Sequence, residues 1–431
     1  MEATDIERAL LSRRLPDGLP ADEGWILPQY DGLSIANLPA TLASLLGSEL
    51  PGALPSLPQA LWADWGPGLR RIVLLVFDGL GYRLLQKRWS AGDGQTFSHL
   101  AAAGRLIPLT SVFPSTTDAA MISLHTGRPP AEHGWLAYEM FLREIGIASN
   151  AILLCPVWTR QQDMLMEWGL QPETLLPVGT LAEGLAHSGI TTAVVLPRSF
   201  ENGGFTRMLY RGTTRIQYHY HASDLWGHLR HLLAETRGQR ILVSAYWGGL
   251  DTLGHAYGPD SGLWDGELRS VSHLLQDEFL ARLPDQDREG TLLLITADHG
   301  QMRIPSAHIL TANEDPELSR HLQVPIMGES RAAFVYPRPG RADAIREYLD
   351  RAFPGRFSVH NSVEILEAGL MGRPISDEAV ARAGELLVLP RGDYALQRAK
   401  PRSPLLGRHG GLTAREMLVP LIGVRLDDLS P

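Results

Sequence analysis

The protein is a chain of 431 residues, of which 44% are hydrophobic and 20% are charged. That balance predicts a folded protein with a large core. The formal net charge of -9 disfavours a protein that coats long nucleic acid through its phosphates. Cys155 is the only cysteine, which excludes an intrachain disulfide and thiolate metal clusters. Any bound metal must therefore be held by histidine and carboxylate.

The start of the chain intersperses acids and arginines without an apolar stretch, and this pattern predicts no secretory signal. The longest apolar runs, such as residues 72–77, are far shorter than the roughly 18 residues that cross a bilayer. We therefore expect no membrane span and a cytoplasmic location. The oligomeric state stays open.

In chain order, residues 1–70 are rich in Pro and Gly and predict an N-terminal arm packed on a core. The first clear element is the apolar run at residues 71–77, which is typical of a buried parallel strand. Strands and helices then alternate, so we predict an α/β fold whose mostly parallel sheet carries helices on both faces. The further strands are predicted near 106–112, 191–196, 240–246 and 291–296, and the helices near 117–126, 222–236 and 262–282.

This alternation stops after residue 300. Residues 301–383 contain a predicted helix at 341–353 between strand-like pieces, and we interpret them as a small inserted α+β cap. The core would then consist of residues 71–300 and 384–431, and its second part would begin with the apolar run LLVLP.

Acids and histidines follow several of the predicted strands. Ligands gather at the carboxyl ends of parallel strands, and His nitrogen with carboxylate oxygen suits zinc-like ions. Taken singly, each residue has a structural explanation, such as a capped turn or a surface histidine. Taken together, the set could hold two divalent ions, zinc or manganese. Its members are Asp78, Asp251, His255, Asp298, His299 and His409.

Asp224 and His228 repeat the Asp-x-x-x-His spacing of Asp251 and His255. They fall on the polar face of the predicted helix at 222–236, so we interpret them as surface residues.

The segment SVFPSTTDAAMISLHTG predicts a strand that ends at Pro114 and a helix that follows it. Thr117 lies on the first helical turn, where free N–H groups and the helix dipole favour a phosphate. Thr116 and Thr117 could instead be only helix caps. A hydroxyl is a weak nucleophile near neutral pH, and a divalent cation would activate it.

The motifs VFDGLG, FPSTT, TGRPPAEHG, DTLGHAYGP, TADHG and RHGG resemble, in this order, the type I phosphodiesterase/nucleotide pyrophosphatase family of the alkaline phosphatase superfamily. The resemblance covers residues 71–300 and 384–425. It implies an alkaline-phosphatase-like core and two metal ions, with zinc expected. It also implies cleavage of phosphodiester or pyrophosphate bonds in a small, nucleotide-like phosphorylated substrate through a phosphothreonine intermediate.

The same resemblance assigns the site residues. One ion would be held by Asp78, Thr117, Asp298 and His299, and the other by Asp251, His255 and His409. Thr117 is the implied nucleophile, because the family's nucleophile falls ten residues before the glycine that stands here at Gly127.

Two residues depart from the family pattern. Tyr138 stands where the best-known nucleotide pyrophosphatases have an Asn that binds a phosphoryl oxygen, and Asp118 replaces an aromatic residue after the nucleophile. We expect both to contact substrate, and the departures put a preference for nucleotides in question. Trp158 and Tyr82 could stack on a base, although packing in the core or at a rim is the simpler role.

Three alternatives remain. A phosphomonoester or a phosphonate could be cleaved at the same two-metal site. A noncatalytic protein could keep metal and phosphate binding without turnover, although every implied ligand position is filled. A sulfatase is disfavoured, because Cys155 lies far in sequence from the predicted helix start.

Overall fold

The computed structural model describes residues 2–13 and 24–429. Its strands are β1 (Arg71–Phe77), β2 (Arg105–Thr110), β3 (Glu139–Leu142), β4 (Ile147–Asn150), β5 (Cys155–Pro156), β6 (Thr191–Pro197), β7 (Arg215–His219), β8 (Ile241–Trp247), β9 (Thr291–Thr296), β10 (Met302–Arg303), β11 (Ile309–Thr311), β12 (Met327–Glu329), β13 (Ala332–Val335), β14 (Phe357–Asn361), β15 (Leu386–Pro390), β16 (Ala395–Gln397), β17 (Gly407–Arg408) and β18 (Leu418–Arg425).

The α-helices connect and cover these strands. They are α1 (Ala3–Ser12), α2 (Leu38–Leu45), α3 (Tyr82–Ser90), α4 (Gln95–Ala103), α5 (Thr117–Thr126), α6 (Pro130–His133), α7 (Met164–Glu167), α8 (Leu181–His187), α9 (Gly204–Leu209), α10 (Ala222–Glu235), α11 (Gly249–Tyr257), α12 (Gly262–Leu274), α13 (Asp285–Arg288), α14 (Pro316–Ser319), α15 (Ala342–Ala352), α16 (Ser362–Glu367), α17 (Asp377–Arg382) and α18 (Ala414–Met417). Within the described residues, none of the helices is long and apolar enough to cross a lipid bilayer.

The central sheet has seven strands in the order β2-β18-β9-β1-β8-β6-β7. β1 pairs in parallel with both β8 and β9, and β6 continues the parallel order with β8 and β7. Only β18 runs antiparallel, between β9 and β2. Every residue of β1 and β9 is buried, as expected for strands covered on both faces. The predicted mostly parallel α/β sheet is confirmed.

A second seven-stranded sheet is antiparallel, in the order β14-β15-β13-β12-β3-β4-β5. Its strands do not follow the predicted boundaries of an insertion at 301–383. β3, β4 and β5 precede that segment, and β15, the run LLVLP, follows it. β15 pairs with β13 and β14 and not with the central sheet, so the expectation that LLVLP resumes the core is wrong for this strand.

The N-terminal residues contribute to the main core. Ile6 and Leu10 of α1 and Leu38 and Leu42 of α2 are buried in the cluster that also contains β1. Residues 14–23, a part of the predicted arm, lie outside the described residues.

Two predicted helices show how local chemistry sets the boundaries. α5 begins at Thr117, as predicted, and the backbone of Thr116 before it is still extended. The predicted helix at 262–282 is α-helical only to Leu274 and then continues as one π-helical turn and one 3-10 turn. Buried Leu275 and Phe279 lie in these turns.

Candidate metal centre and nucleophile

The predicted ligands lie at one edge of the central sheet because the strands before them are parallel. Asp78 follows β1, and Asp298 and His299 follow β9. α11 begins directly after β8 and places Asp251 and His255 one helical turn apart. Gly79 makes the close approach possible, since it has φ +74° and a Cβ there would lie 3.1 Å from the Asp251 backbone.

The first group of ligands surrounds the ring of His299. His299 is fully buried, and its Nε2 lies 3.1 Å from Thr117 Oγ1, 3.4 Å from Asp78 Oδ1 and 3.5 Å from Asp298 Oδ2. Its Nδ1 lies 3.0 Å from the Gly300 carbonyl, to which it donates a proton. The Nε2 lone pair therefore faces the threonine hydroxyl and two carboxylates.

The second group consists of Asp251, His255 and His409. His255 Nε2 lies 3.3 Å from Asp251 Oδ2, and His409 Nε2 lies 3.9 Å from Asp251 Oδ1. The two imidazole Nε2 atoms are 3.3 Å apart. His409 lies in a loop 154 residues after His255 along the chain. Its ring also stacks on the ring of His299, with the ring centroids 3.8 Å apart.

The histidine tautomers in this second group are determined by the backbone. His255 donates from Nδ1 to the Gly407 carbonyl at 2.8 Å, and His409 donates from Nδ1 to the Ser115 carbonyl at 3.1 Å. Both Nε2 atoms then present lone pairs to the same space. Two facing lone pairs repel unless a cation lies between them, and backbone carbonyls that orient imidazoles in this way are typical of metal-binding histidines.

The buried carboxylates also fit cations. Asp78 Oδ1 and Asp298 Oδ2 are buried without a hydrogen-bond partner among the described residues. Burial, together with the nearby Asp298 and Asp251, raises the pKa of Asp78 well above its ordinary value. Burial and the neighbouring His299 and His255 lower the pKa of His409 well below its ordinary value. Divalent cations would relieve both kinds of crowding.

Two overlapping sets of ligand atoms lie close enough to hold a cation each. One is Asp251, His255 and His409, and the other is Asp78, Asp251 and His299. The first set is the predicted second metal site. The second differs from the prediction, because it includes Asp251 where the prediction has Asp298. Asp251 thus lies within reach of both sites.

The two adjacent threonines direct their hydroxyls to different partners. Thr117 is the first residue of α5, and its hydroxyl faces His299. Thr116 lies before the helix, and its hydroxyl donates to Glu329 Oε1 at 2.6 Å. Only Thr117 therefore directs its oxygen into the cluster of ligands.

Glu329 and Tyr246 contact the site residues but were not predicted. Tyr246 donates a hydrogen bond from its hydroxyl to Asp78 Oδ2. Glu329 accepts from Thr116 and from the Tyr138 backbone, and burial, followed by the nearby Asp118, raises its pKa to about 8. Glu329 lies in β12 of the second sheet, and no local sequence pattern connects it with the helix at Thr117. Tyr246 ends a predicted strand, so the sequence could have identified it as a residue near the site.

Of the two residues predicted to contact substrate, one lines the cleft and the other does not. Tyr138 lines the cleft above the metal ligands. Asp118 is completely buried and does not line the cleft, and burial raises its pKa to about 6. A side chain without exposure cannot meet substrate directly, so the prediction for Asp118 is corrected.

The structure also places Trp158, Tyr82 and Asp224, which the sequence analysis discussed. Trp158 lines the cleft and is 68% exposed, whereas Tyr82 is buried in the core. Asp224 accepts hydrogen bonds from the backbone of Tyr220 and His221 at the start of α10. It is therefore a helix cap, as expected for a residue outside the site.

The fold and the site define the class of protein: an α/β protein with a mostly parallel central sheet, at one edge of which acids, histidines and a helix-start threonine converge. The family model described as "Type I phosphodiesterase / nucleotide pyrophosphatase" matches residues 72–412. The chain belongs to this family, a family of metal-dependent hydrolases that act on phosphoesters.

Several solved structures have similar folds. Murine ectonucleotide pyrophosphatase/phosphodiesterase 5 is 18% identical with a TM-score of 0.63, and the match covers 81% of this chain and 87% of that one. An inactive threonine-to-alanine variant of the murine protein in complex with AMP has a TM-score of 0.62, 17% identity and coverage of 82% and 87%. Phosphonoacetate hydrolase from Sinorhizobium meliloti 1021, in complex with phosphonoformate, has a TM-score of 0.58, 18% identity and coverage of 83% and 90%.

Proposed function

We propose that the protein is a two-metal hydrolase that cleaves phosphodiester or pyrophosphate bonds of small molecules, with Thr117 as the nucleophile. The observation that carries the proposal is the position of the Thr117 hydroxyl. It lies at the first residue of α5 and 3.1 Å from Nε2 of His299, and Asp78 Oδ1, which has no hydrogen-bond partner among the described residues, lies 3.4 Å from the same nitrogen.

The predicted ligands fall into two groups, one for each ion. Asp78, Asp298, His299 and Thr117 would hold one divalent ion, and Asp251, His255 and His409 would hold the other. Asp251 lies within reach of both sets. Zinc suits this mixture of imidazole and carboxylate, and manganese accepts the same ligands. When bound, the ions supply positive charge that stabilises developing oxyanions and lowers the pKa of hydroxyl and water nucleophiles.

The chain itself positions the reacting groups. The first-turn N–H groups of α5 have no intrahelical partners and, with the helix dipole, favour the phosphoryl oxygens of the substrate. The Thr117 oxygen then forms a bond to phosphorus as the bond to the leaving oxygen breaks. Water attacks the resulting phosphothreonine, breaks its P–O bond to Thr117 and restores the hydroxyl, so that one water is consumed in each cycle.

A phosphonate or phosphomonoester substrate is the second candidate. It is favoured by the surplus of arginines in the cleft, which suits a substrate with more negative charge than a simple diester. Tyr138, which stands where nucleotide pyrophosphatases have an asparagine, also favours a phosphonate or phosphomonoester substrate.

The test is a substrate screen on the full chain loaded with zinc or manganese, using bis-4-nitrophenyl phosphate, 4-nitrophenyl phosphate, a dinucleoside pyrophosphate and phosphonoacetate. We expect cleavage of the diester or the pyrophosphate, with loss of this activity in Thr117→Ala. Thr116→Ala is the matched control, because its hydroxyl is bound to Glu329 outside the cluster. Full activity in Thr117→Ala would refute the nucleophile, and no cleavage of diester or pyrophosphate would refute the substrate class.

A further inference from the structure

The ligand cluster lies in a cleft of about 550 Å³ whose walls are unexpectedly basic for an acidic chain. Apart from the metal ligands, the charged residues that line it are five cations and two carboxylates. They are Arg160, Arg398, Lys400, Arg402, Arg408, Glu139 and Glu329.

Two of the five cations are already paired. Arg398 binds both carboxylate oxygens of Glu139 at 2.8 Å. Lys400 lies 2.6 Å from Glu314, outside the cleft. Glu329 is buried, which raises the pKa of its carboxyl to about 8, and it interacts electrostatically with Arg408.

Three arginines remain, and we name Arg160, Arg402 and Arg408 the arginine triad. Arg160 and Arg402 are exposed, and within the described residues neither makes an ion pair or a hydrogen bond. A surplus of like charge along a cleft raises the local concentration of ligands of opposite charge.

Arg408 is the buried member of the triad. It is 6% exposed, its Nη2 donates to Gln397 at 2.8 Å, and its Nε has no hydrogen-bond partner among the described residues. Burying an unpaired donor of a charged group costs free energy, so such a group needs an explanation in function. Arg408 directly precedes the predicted metal ligand His409, which places it beside the reaction site.

We propose that the arginine triad binds a second anionic group of the substrate, a phosphate or a carboxylate, separate from the phosphoryl group that reacts at Thr117. The inference rests on the proposed function for the position of the reacting phosphoryl group. It narrows the substrate to small molecules with at least two anionic groups. Arg408 meets the anion on the inner side of the cleft, and Arg160 and Arg402 meet it from the exposed side. Guanidinium groups suit this role because they bind carboxylate and phosphate oxygens in pairs.

Binding is the readout, measured by calorimetry on the zinc-loaded full chain at constant ionic strength. The matched probes are 3-phosphonopropionate and propylphosphonate, which differ only by the terminal carboxylate. We expect 3-phosphonopropionate to bind about tenfold more tightly, as for one charge-assisted contact. The double variant Arg160→Gln/Arg402→Gln should lose most of this preference without the risk of misfolding that attends a buried change at Arg408.

Lys400→Gln is the control, because this residue has the same charge at the same cleft but is paired with Glu314. It should keep the preference. A third probe, ethane-1,2-diyl bisphosphonate, has the same two-carbon spacer and identifies the preferred anion: tighter binding than 3-phosphonopropionate assigns a phosphate, and weaker binding assigns a carboxylate. Equal binding of the first two probes, or a preference that survives in the double variant, would overturn the inference.

The result is independent of turnover. A protein that cleaves diesters but binds the two matched probes equally refutes the arginine triad alone. A protein that keeps the arginine-dependent preference but hydrolyses nothing refutes the proposed function alone.

Discussion

The Nε2 atoms of His255 and His409 face each other at 3.3 Å, and each ring has its Nδ1 proton committed to a backbone carbonyl. Neither ring offers a proton to the other in this arrangement. The pair could therefore hold a positive ion together with Asp251, whose Oδ2 lies 3.3 Å from His255 Nε2.

Metal content should depend most strongly on Asp251, because this carboxylate belongs to both sets of ligand atoms. We expect two zinc ions per chain in the unmodified protein and fewer than one in Asp251→Ala, measured by plasma mass spectrometry after dialysis. His255→Ala should retain close to one. His228→Ala, on α10 outside the site, is the control. Equal zinc content in Asp251→Ala and His228→Ala would contradict the placement of Asp251 in both ligand sets.

Two replacements of Thr117 should show whether its hydroxyl, and not its methyl group, is needed for activity. Thr117→Ala should lower kcat for a diester by about a thousand-fold or more, since the Thr117 hydroxyl lies 3.1 Å from His299 Nε2 and that of the neighbouring Thr116 is bound to Glu329. Thr117→Ser keeps the hydroxyl and should remain within about tenfold of the unmodified protein. Steady-state kinetics at saturating metal measures both. A Ser variant as inactive as the Ala variant would speak against nucleophilic catalysis.

The loop that carries His409 is held by a buried ion pair. Glu416 accepts from Arg331 at 3.0 and 3.1 Å, from the Gly411 backbone at 2.9 Å and from Thr413 at 2.7 Å. Removing Arg331 alone leaves a buried unpaired carboxylate, so Arg331→Met should lower the free energy of unfolding by about 3 to 5 kcal/mol.

Urea denaturation measures this loss. The exposed pair of Arg351 and Glu317 is the comparison, and Arg351→Met should cost less than about 1 kcal/mol. The double variant Arg331→Met/Glu416→Leu should recover part of the stability, because no charge then remains buried. Equal costs for Arg331→Met and Arg351→Met would show that the buried pair does not hold the loop.

His125 should make the stability depend on pH. Burial lowers its pKa from 6.5 to about 4, so the folded protein holds it neutral where the unfolded chain already binds a proton. Its contribution to stability is full above pH 6.5 and falls as the pH drops through 6.5 toward 4. Between pH 7.5 and pH 5, this loss is about 2 kcal/mol.

His125→Phe should remove that loss while keeping the edge-on contact with Tyr210. Urea denaturation at both pH values compares the two proteins. The exposed His187→Gln variant is the control and should keep the pH dependence of the unmodified protein. An unchanged pH dependence in His125→Phe would contradict the buried neutral state.

The sequence predicted the parts of the molecule in which the chemistry is local. Long apolar runs ending in Asp78 and Asp298 identify buried parallel strands, and parallel strands bring their carboxyl ends to one edge. The start of α5 followed from Pro114 and the helix-forming residues after Thr117. These features required no knowledge of distant partners.

The second sheet could not be predicted in the same way. Its strands are short, antiparallel and drawn from residues 139 to 390, so their pairing depends on contacts between distant segments. Glu329 enters the site through this sheet, which is why local patterns did not identify it. The burial of Asp118 was missed for a related reason, because helix periodicity does not show what covers a helix start.

Trapping the covalent intermediate distinguishes attack by Thr117 from direct attack by water. Zinc-loaded protein is mixed with bis-4-nitrophenyl phosphate, quenched in acid within milliseconds and analysed by peptide mass spectrometry. We expect a 4-nitrophenyl phosphoryl adduct on Thr117 that disappears as turnover ends. Turnover with no adduct, or with an adduct on Thr116 instead, would rule out Thr117 as the nucleophile.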